Sequence, residues 1–426
     1  MSVIRLKNPD RSDEASAGEI PGFDVLRALA ILGVVALHAG VPYARHPMPG
    51  LVWPVSDSSS GIVDAIFWGI EVIIMPLFLM IAGFLTWRSS QRRSPGQLVK
   101  SRAKRLLIPL AFGVFIVLPS ALYIWTMGLV AEGVVPVIKL KSLKFDPPVS
   151  EQIWGLSHLW FLLYLFLYVV VTACLLRLKS LQKMNRLTAA IARPKVLLIL
   201  LGSIAVATLV AAPEVVWGFQ HAFLPVPSKW IYCGVFFAAG CGLARHDLEL
   251  KWAAGTTPQM LALGTVLLVT SVALGTWSLD QSERGGASHH AATCLLALLT
   301  VAAAGTTTIG LLGASIRYVR QVPRPVRYVA SASFWIYLVH HPLLGLIHYD
   351  LKWLWPTGLP IVKLVVSFAA ATGVSLLMFE SFVHRSWLGS LLGLSHPGME
   401  HSRKHRVDTS EVLTLPDVES ETRRAA

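Results

Sequence analysis

Charged residues are scarce in this chain, and their scarcity excludes most classes of soluble protein. Asp, Glu, Lys and Arg make up 14% of the 426 residues, whereas soluble domains average about 25%. Hydrophobic residues make up 54%, and the mean hydropathy is +0.59. The formal charge of +13 would suit a nucleic-acid partner only if the cations clustered on one soluble domain, but they fall in short loops between apolar runs. The composition indicates a polytopic protein of the lipid bilayer, with no nucleic-acid partner.

Cysteine is also rare. The four cysteines lie in or beside apolar runs, and no two form a C-x-x-C pair. We therefore expect neither a disulfide framework nor a metal site. No internal repeat is evident, which weighs against a secondary transporter built from two related halves.

Ten apolar runs are long enough to cross a bilayer, which requires about 17–25 residues each. They predict an all-α fold, a polytopic membrane helix bundle with about ten transmembrane spans. We expect a cytoplasmic tail at 1–21, a transmembrane domain at 22–386 and a disordered cytoplasmic tail at 387–426. The predicted spans are 22–41, 62–86, 106–128, 158–177, 196–212, 230–246, 259–279, 291–312, 327–348 and 359–382.

Positive charge predicts the orientation, because lysine and arginine are retained on the cytoplasmic side. With the N-terminus inside, the inner loops hold more than twice as many of these residues as the outer loops. Both termini are therefore predicted to be cytoplasmic, and we expect the chain in the inner (plasma) membrane. The first run shows no small-residue cleavage site before it, so we expect it to stay in the mature protein.

The first span carries the pattern around which the function is predicted. Arg27 and His38 are eleven residues apart, almost three whole helical turns, so both side chains leave the same face. They are separated by roughly 16 Å along the axis, about half the hydrocarbon thickness of a bilayer. An ionisable group inside a bilayer is costly, so His38 is a candidate functional residue.

Three other titratable residues are predicted to reach the same half of the membrane. His158 opens the fourth span, Glu71 lies near the middle of the second, and His340 lies at a depth similar to that of His38. Of the adjacent His340 and His341, helical spacing lets only one face a given cavity, and we favour His340. Together these residues predict a polar cavity open to the outside. A neutral imidazole there could act as a general base toward a hydroxyl, assisted by a carboxylate.

Two arginines lie together at the predicted inner surface. Arg102 and Arg105 are three residues apart, on one face of a helix about to enter the membrane. They anchor to anionic lipid headgroups in one interpretation. In the other they bind the phosphates of a cytoplasmic nucleotide-like donor. Composition alone favours the anchor.

Several segments, in this order, resemble the acyltransferase 3 family. They are Arg27-x10-His38, the end of the second span from Met75 to Leu85, Arg102-x-x-Arg105 before a proline, His158 to Leu162, and Ser333 to His340. The resemblance covers about Gly22 to Glu380 and is closest to the glucan-biosynthesis protein C-like branch. The chain departs from the family pattern at Ala82, where serine is usual, and at Glu71, where that branch carries arginine or a neutral residue.

The resemblance implies a membrane O-acyltransferase. It would move an acyl group, acetyl or succinyl, from cytoplasmic acyl-CoA to a hydroxyl of an extracytoplasmic carbohydrate such as a periplasmic glucan. His38 would be the general base or a transient acyl carrier, with Glu71 or His340 assisting, and no metal is required. Arg27, Arg102 and Arg105 would hold the phosphates of acyl-CoA, and we assign substrate contacts to His158, Trp160 and Asp24.

Two further expectations stay open. Glu380 matches a glutamate near the family's last span, and we interpret it as structural or as a partner of Arg102 or Arg105. The alternative function is a ten-span transporter or exporter in which His38, Glu71 and His340 relay protons. Glycan-synthesis partners or a homo-oligomer are compatible with either function.

Overall fold

The computed structural model describes residues 20–178, 194–281, 287–384 and 386–392. The predicted tails therefore lie almost wholly outside the described residues, at 1–19 and 393–426. In the described ranges, each predicted span coincides with one long helix. These helices are α1 Pro21–Gly40, α2 Gly61–Ser90, α3 Pro95–Ala131, α4 Trp160–Arg177, α5 Pro194–Ala211, α6 Pro227–His246, α7 Lys251–Gln281, α8 Ala287–Arg317, α9 Arg324–Leu354 and α10 Pro360–Met378.

Over the described residues, eight of these helices are long and apolar enough to cross a membrane, and α5 contributes a shorter apolar stretch, Val196–Ala211. The all-α polytopic bundle is thus confirmed. The count of ten spans and the cytoplasmic location of both termini stay predictions.

Proline and serine mark the residues at which the helices begin. Pro21, Pro227 and Pro360 each occupy the first turn of a helix. The N–H that proline lacks would have no hydrogen-bond partner within the helix at this position, so its loss costs nothing. Ser60 Oγ accepts a hydrogen bond from Ile62 N, and Ser94 forms a capping box with Gln97. The latter cap starts α3 eleven residues before the predicted span, so Arg102 and Arg105 lie inside this helix.

α1 packs against α2, α8, α9 and α10. Beside it, α2 and α6 approach so closely that glycine is required on both. A Cβ at Gly83 would lie 2.0 Å from the Phe237 carbonyl oxygen, and one at Gly240 would lie 2.1 Å from the Met80 carbonyl oxygen. This backbone contact holds α6 against α2.

The loop at 44–60 folds back over the C-terminal end of α1. Phe219 N donates to the Pro49 carbonyl at 2.7 Å, and Trp53 Nε1 donates to His348 Nδ1 at 2.9 Å. Lys363 Nζ pairs with Asp57 at 2.7 Å, and both of these side chains are buried. The loop is therefore held on several sides and closes this end of the bundle.

His46 ties the same loop to two helices. Its Nδ1 lies 2.6 Å from the Asp64 carboxylate on α2, and its Nε2 lies 3.0 Å from the Asp280 carboxylate on α7. Partial burial opposes the charged ring, but the hydrogen bonds and charges of Asp64 and Asp280 outweigh it and raise the pKa of His46. The imidazolium is thus stabilised in the folded state.

The raised pKa predicts a pH-dependent contribution to stability. Below the unfolded-state pKa of about 6.5 the His46 contribution is fully present, and it is lost as the pH rises through the higher folded-state value. We expect the melting temperature of the wild type to exceed that of His46→Gln most at pH 6 and least at pH 9. His246→Gln, at the exposed end of α6, is the control. A His46→Gln difference that stays constant over this range would contradict the prediction.

Candidate active site

Four histidine rings from three parts of the chain form one cluster, which we call the histidine cluster. It comprises His38 on α1, His158 in the turn before α4, and His340 and His341 on α9. The His38 ring centroid lies 5.0 Å from that of His340 and 5.4 Å from that of His341. The His158 ring stacks on His341 at 4.7 Å and meets His340 at 5.2 Å. The fold thus brings together His38, His158 and His340, which the sequence placed only at similar depths.

Backbone carbonyls fix the tautomers of three of these rings. His38 Nδ1 lies 2.9 Å from the Val34 carbonyl, His340 Nδ1 lies 2.8 Å from the Tyr337 carbonyl, and His158 Nε2 lies 3.1 Å from the Leu338 carbonyl. A carbonyl oxygen only accepts, so each of these nitrogens carries the proton and the other nitrogen of the ring carries a lone pair. Within the described ranges, His340 Nε2 and His158 Nδ1 have no hydrogen-bond partner.

The histidine cluster borders a small cavity of about 80 Å³, the central cavity. His38, Glu71, His158 and Trp160 line it, so four of the predicted site residues are brought together there. The structure differs from the prediction on the adjacent pair. His341 lies on the cavity wall, while His340 is fully buried behind it and contacts the rings of His38 and His158. The centroids of His340 and His341 are 6.1 Å apart and form a triangle with that of His38, so both rings contact His38. Residue spacing alone could not show this.

Lys229 is a residue of this cavity that the sequence analysis did not single out. It lies in the first turn of α6, is 7% exposed, and places its Nζ 3.9 Å from the centroid of the Trp160 ring. Its charge and that of Glu71 act on each other across the cavity. A lysine just after a proline, before an apolar run, is typical of a helix end at the membrane surface. No local signal distinguished it from such an anchor.

The three predicted phosphate-binding residues line one larger cavity of about 380 Å³, the arginine cavity. Arg27 Nη2 donates to the Ala330 carbonyl at 3.1 Å, which holds its guanidinium against α9. Arg102 Nε is buried and has no hydrogen-bond partner among the described residues. Arg105 completes the set, and no described carboxylate lines the cavity. The charges of Arg102 and Arg105 are therefore available to an anionic ligand, whereas Arg27 is paired with Asp24.

The arginine cavity and the central cavity meet at a common wall. Val34, Met75 and Tyr337 line both. These side chains belong to α1, α2 and α9, the helices that carry Arg27, Glu71 and His341. A flexible ligand bound by the arginines would reach the histidine cluster by passing this wall.

A third cavity, of about 240 Å³, adjoins the central cavity on its other side, and we call it the aromatic cavity. Leu51, Phe219 and His341 line both. Trp154 and His221 also line the aromatic cavity. Burial lowers the pKa of His221, so its ring is neutral near pH 7. The three cavities thus follow one another through the bundle.

Asp24 lies away from the predicted substrate contacts, and Glu380 makes contacts in keeping with the structural one of its two interpretations. Asp24 pairs with Arg27 at 3.2 Å, about 21 Å along α1 from His38 and apart from His158 and Trp160. It lines none of the three cavities. Glu380 accepts a hydrogen bond from the Tyr328 hydroxyl at 3.0 Å and pairs with His384 at 3.0 Å. Its partners are therefore these two residues and neither Arg102 nor Arg105.

The folded part extends past the predicted C-terminal boundary at 386. Trp387–Leu391 form a short helix that Ser386 caps through Gly389 N. Leu392 is buried and lines the arginine cavity. The first residues of the predicted tail thus help to enclose this cavity.

Among the described residues, no group of three His, Cys, Asp or Glu side chains has the arrangement to hold a metal ion.

Comparison with known families identifies the class of protein to which this chain belongs. The acyltransferase 3 model, described as an acyltransferase domain, matches residues 20–380. The chain belongs to the acyltransferase 3 family. The match takes in all three cavities except Leu392, and it supports a membrane acyltransferase. The predicted family is therefore confirmed, and with it acyltransferase activity at the level of the family.

Neither the curated proteins nor the solved structures gave a match to this acyltransferase 3 chain. The resemblance to the glucan-biosynthesis protein C-like branch therefore stays a prediction.

Proposed function

We propose that this protein is an O-acyltransferase of the plasma membrane. It moves a short acyl group, such as acetyl or succinyl, from cytoplasmic acyl-CoA to a hydroxyl of an extracytoplasmic carbohydrate, with a periplasmic glucan as one candidate. The observation that carries the proposal is the wall of Val34, Met75 and Tyr337 between the arginine cavity and the central cavity. It joins a site suited to phosphates with a site suited to proton transfer.

The arginine cavity is suited to the nucleotide part of acyl-CoA. Guanidinium groups match phosphate oxygens in geometry, and charge-assisted hydrogen bonds are about twice as strong as neutral ones. The free Nε of Arg102 and the absence of a described carboxylate on the wall favour an anionic ligand. The thioester would then reach the central cavity at the end of the long flexible arm of the donor.

The central cavity is suited to removing a hydroxyl proton. The proton on His38 Nδ1 is held by the Val34 carbonyl, which leaves the lone pair of Nε2 for the acceptor hydroxyl. His340, buried against His38, orients the base ring from behind, and Glu71 balances the positive charge of Lys229. The small volume of this cavity favours a short acyl group over a fatty acyl chain.

The aromatic cavity is suited to the acceptor. Trp154 and Trp125 offer ring faces, and Gln152 and the neutral His221 offer hydrogen-bonding groups. Apolar and aromatic walls with a few placed polar groups are typical of sites for small organic ligands. His158 and Trp160 line the central cavity, in keeping with substrate contacts. The transporter alternative gains no support from the family match.

The first prediction concerns the base. His38→Ala should lower the release of free CoA thiol from acetyl-CoA or succinyl-CoA by about 10²–10⁴-fold, since general base catalysis contributes that much. The assay uses detergent-purified protein with a crude glycan acceptor. His246→Ala, at the end of α6 and outside the three cavities, should turn over like the wild type. Undiminished thiol release by His38→Ala would contradict the proposed base.

The second prediction concerns the phosphates. Arg102→Gln and Arg105→Gln should each raise the KM for acyl-CoA by about 10-fold or more, because a charged hydrogen bond contributes about 1.5–3 kcal/mol. Lys104→Gln removes an exposed charge from the same turn of α3 but does not line the cavity, so it should leave the KM unchanged. With acyl-pantetheine, which lacks the nucleotide, all three variants should resemble the wild type. An equal rise in KM for Lys104→Gln would contradict the prediction, because the arginines would then act only through the overall positive charge of this surface.

The third prediction concerns the wall between the two cavities. Met75→Trp should fill the passage and abolish acyl transfer, while binding of CoA to the arginine cavity persists when measured by calorimetry. Met75→Leu conserves the volume and should stay active. Full transfer activity in Met75→Trp would show that the donor arm takes another route.

A further inference from the structure

We propose that Lys229 and Tyr232 donate the hydrogen bonds that stabilise the oxyanion formed during acyl transfer. The proposal rests on the acyltransferase function above and adds two catalytic residues to it. Both residues lie on α6 and line the central cavity opposite the histidine cluster. Because they are three residues apart, their side chains leave the same face of the helix.

Most strong donors around the central cavity are already engaged. The His38 Nδ1 proton goes to the Val34 carbonyl and the His158 Nε2 proton to the Leu338 carbonyl. The Tyr337 hydroxyl donates to the His158 carbonyl. These groups hold the histidine cluster together and are not free to bind a substrate oxygen.

Lys229 and Tyr232 differ from these donors because neither has an acceptor in the part of the chain that the structure describes. The Tyr232 hydroxyl is buried, on a residue only 2% exposed, and has no hydrogen-bond partner among the described residues. Lys229 Nζ contacts the ring faces of Trp160 and Phe219, and no described carboxylate lies within 4.0 Å of it. Buried donors without acceptors are costly and therefore call for a ligand at that place.

The cation–π contacts and Glu71 explain how the ammonium is tolerated there. Trp160 and Phe219 offer the negative faces of their rings to Nζ. Glu71 supplies the opposite charge in the same cavity without pairing directly with the ammonium. The ammonium is thus held in position and keeps donors for a charge that develops during the reaction.

The proposed step balances as follows. The hydroxyl oxygen of the acceptor bonds to the thioester carbon while its proton passes to His38 Nε2. The electron pair of the C=O bond moves to the carbonyl oxygen, which then accepts hydrogen bonds from Lys229 Nζ and Tyr232 Oη. As the C=O bond re-forms, the C–S bond breaks and the thiolate takes the proton from His38. The products are an ester and free CoA thiol.

The test is steady-state and single-turnover acyl transfer by purified full-length variants. Lys229→Met should lower kcat by about 10²–10³-fold and Tyr232→Phe by about 10-fold, as expected for loss of an oxyanion donor. The KM for acyl-CoA should stay within about two-fold, since the arginine cavity is untouched, and Lys229→Arg should recover part of kcat. Tyr168→Phe removes a buried hydroxyl that donates to the Trp230 carbonyl outside the cavity, and it is the matched control.

A double variant separates this role from charge balance. Lys229→Met leaves Glu71 without its counter-charge, whereas Glu71→Gln together with Lys229→Met leaves the cavity neutral. If Lys229 stabilises the oxyanion, the double variant stays slow. Recovery of the wild-type rate would overturn the proposal, because Lys229 would then only balance Glu71. Loss confined to succinyl-CoA, with acetyl-CoA unaffected, would also overturn it and assign Lys229 to a carboxylate of the acyl group.

The inference and the proposed function fail in different ways. A wild type that releases no CoA from any donor refutes the proposed function. A wild type that turns over, with Lys229→Met and Tyr232→Phe at wild-type rates and correctly folded, refutes the oxyanion role alone. Thermal melting of each variant confirms that it is folded before the rates are compared.

Discussion

Hydrogen bonds from imidazole nitrogens to backbone carbonyls are the interaction on which the candidate site depends. A helix interior has few free acceptors, but His38 and His340 bind carbonyls one turn back on their own helices, at Val34 and Tyr337. His158 uses the Leu338 carbonyl of a neighbouring helix. Each bond fixes the ring and its tautomer together. Three lone pairs are thereby directed away from the backbone within an otherwise apolar bundle.

The histidine cluster and the central cavity also depend on close packing of the helices and the loop around them. The reciprocal contact of Gly83 and Gly240 brings α6 against α2, and this places Lys229 opposite His38. At the C-terminal end of α1, next to His38, the loop at 44–60 is held by His46 and by the buried ion pair of Lys363 and Asp57. Breaking such a pair by removing one partner is strongly destabilising, since it leaves an uncompensated buried charge. The site is thus enclosed by the backbone contact between α2 and α6 and by the loop at 44–60, which charge pairs hold in place.

Sequence patterns predicted the parts of this site that depend on local periodicity. The eleven-residue spacing of Arg27 and His38 placed both on one face of α1, and the three-residue spacing of Arg102 and Arg105 placed both on the arginine cavity. The positions of the long helices followed from apolar runs, because helix length and hydropathy are properties of consecutive residues. The family resemblance rested on the same segments and was confirmed by the match over 20–380.

Local sequence patterns could not predict the contacts between segments that are distant in the chain. The sequence around Lys229 is typical of a lysine at the membrane surface. Only the packing of α6 places its ammonium over Trp160. Tyr232 carried no signal within its apolar run. The position of His341 on the cavity wall and the partners of Glu380 also depend on how α9 and α10 are rotated in the bundle. Rotation is set by neighbouring helices and not by the sequence of one helix.

The central claim is that the donor binds at the arginine cavity and reaches the histidine cluster through the wall at Val34, Met75 and Tyr337. The most direct measurement is an experimental structure of the full chain with bound CoA. The account predicts the phosphates of CoA within hydrogen-bond distance of Arg27, Arg102 and Arg105, with the sulfur past Met75 beside His38. A nucleotide bound in the aromatic cavity, or a sulfur remaining in the arginine cavity, would contradict it.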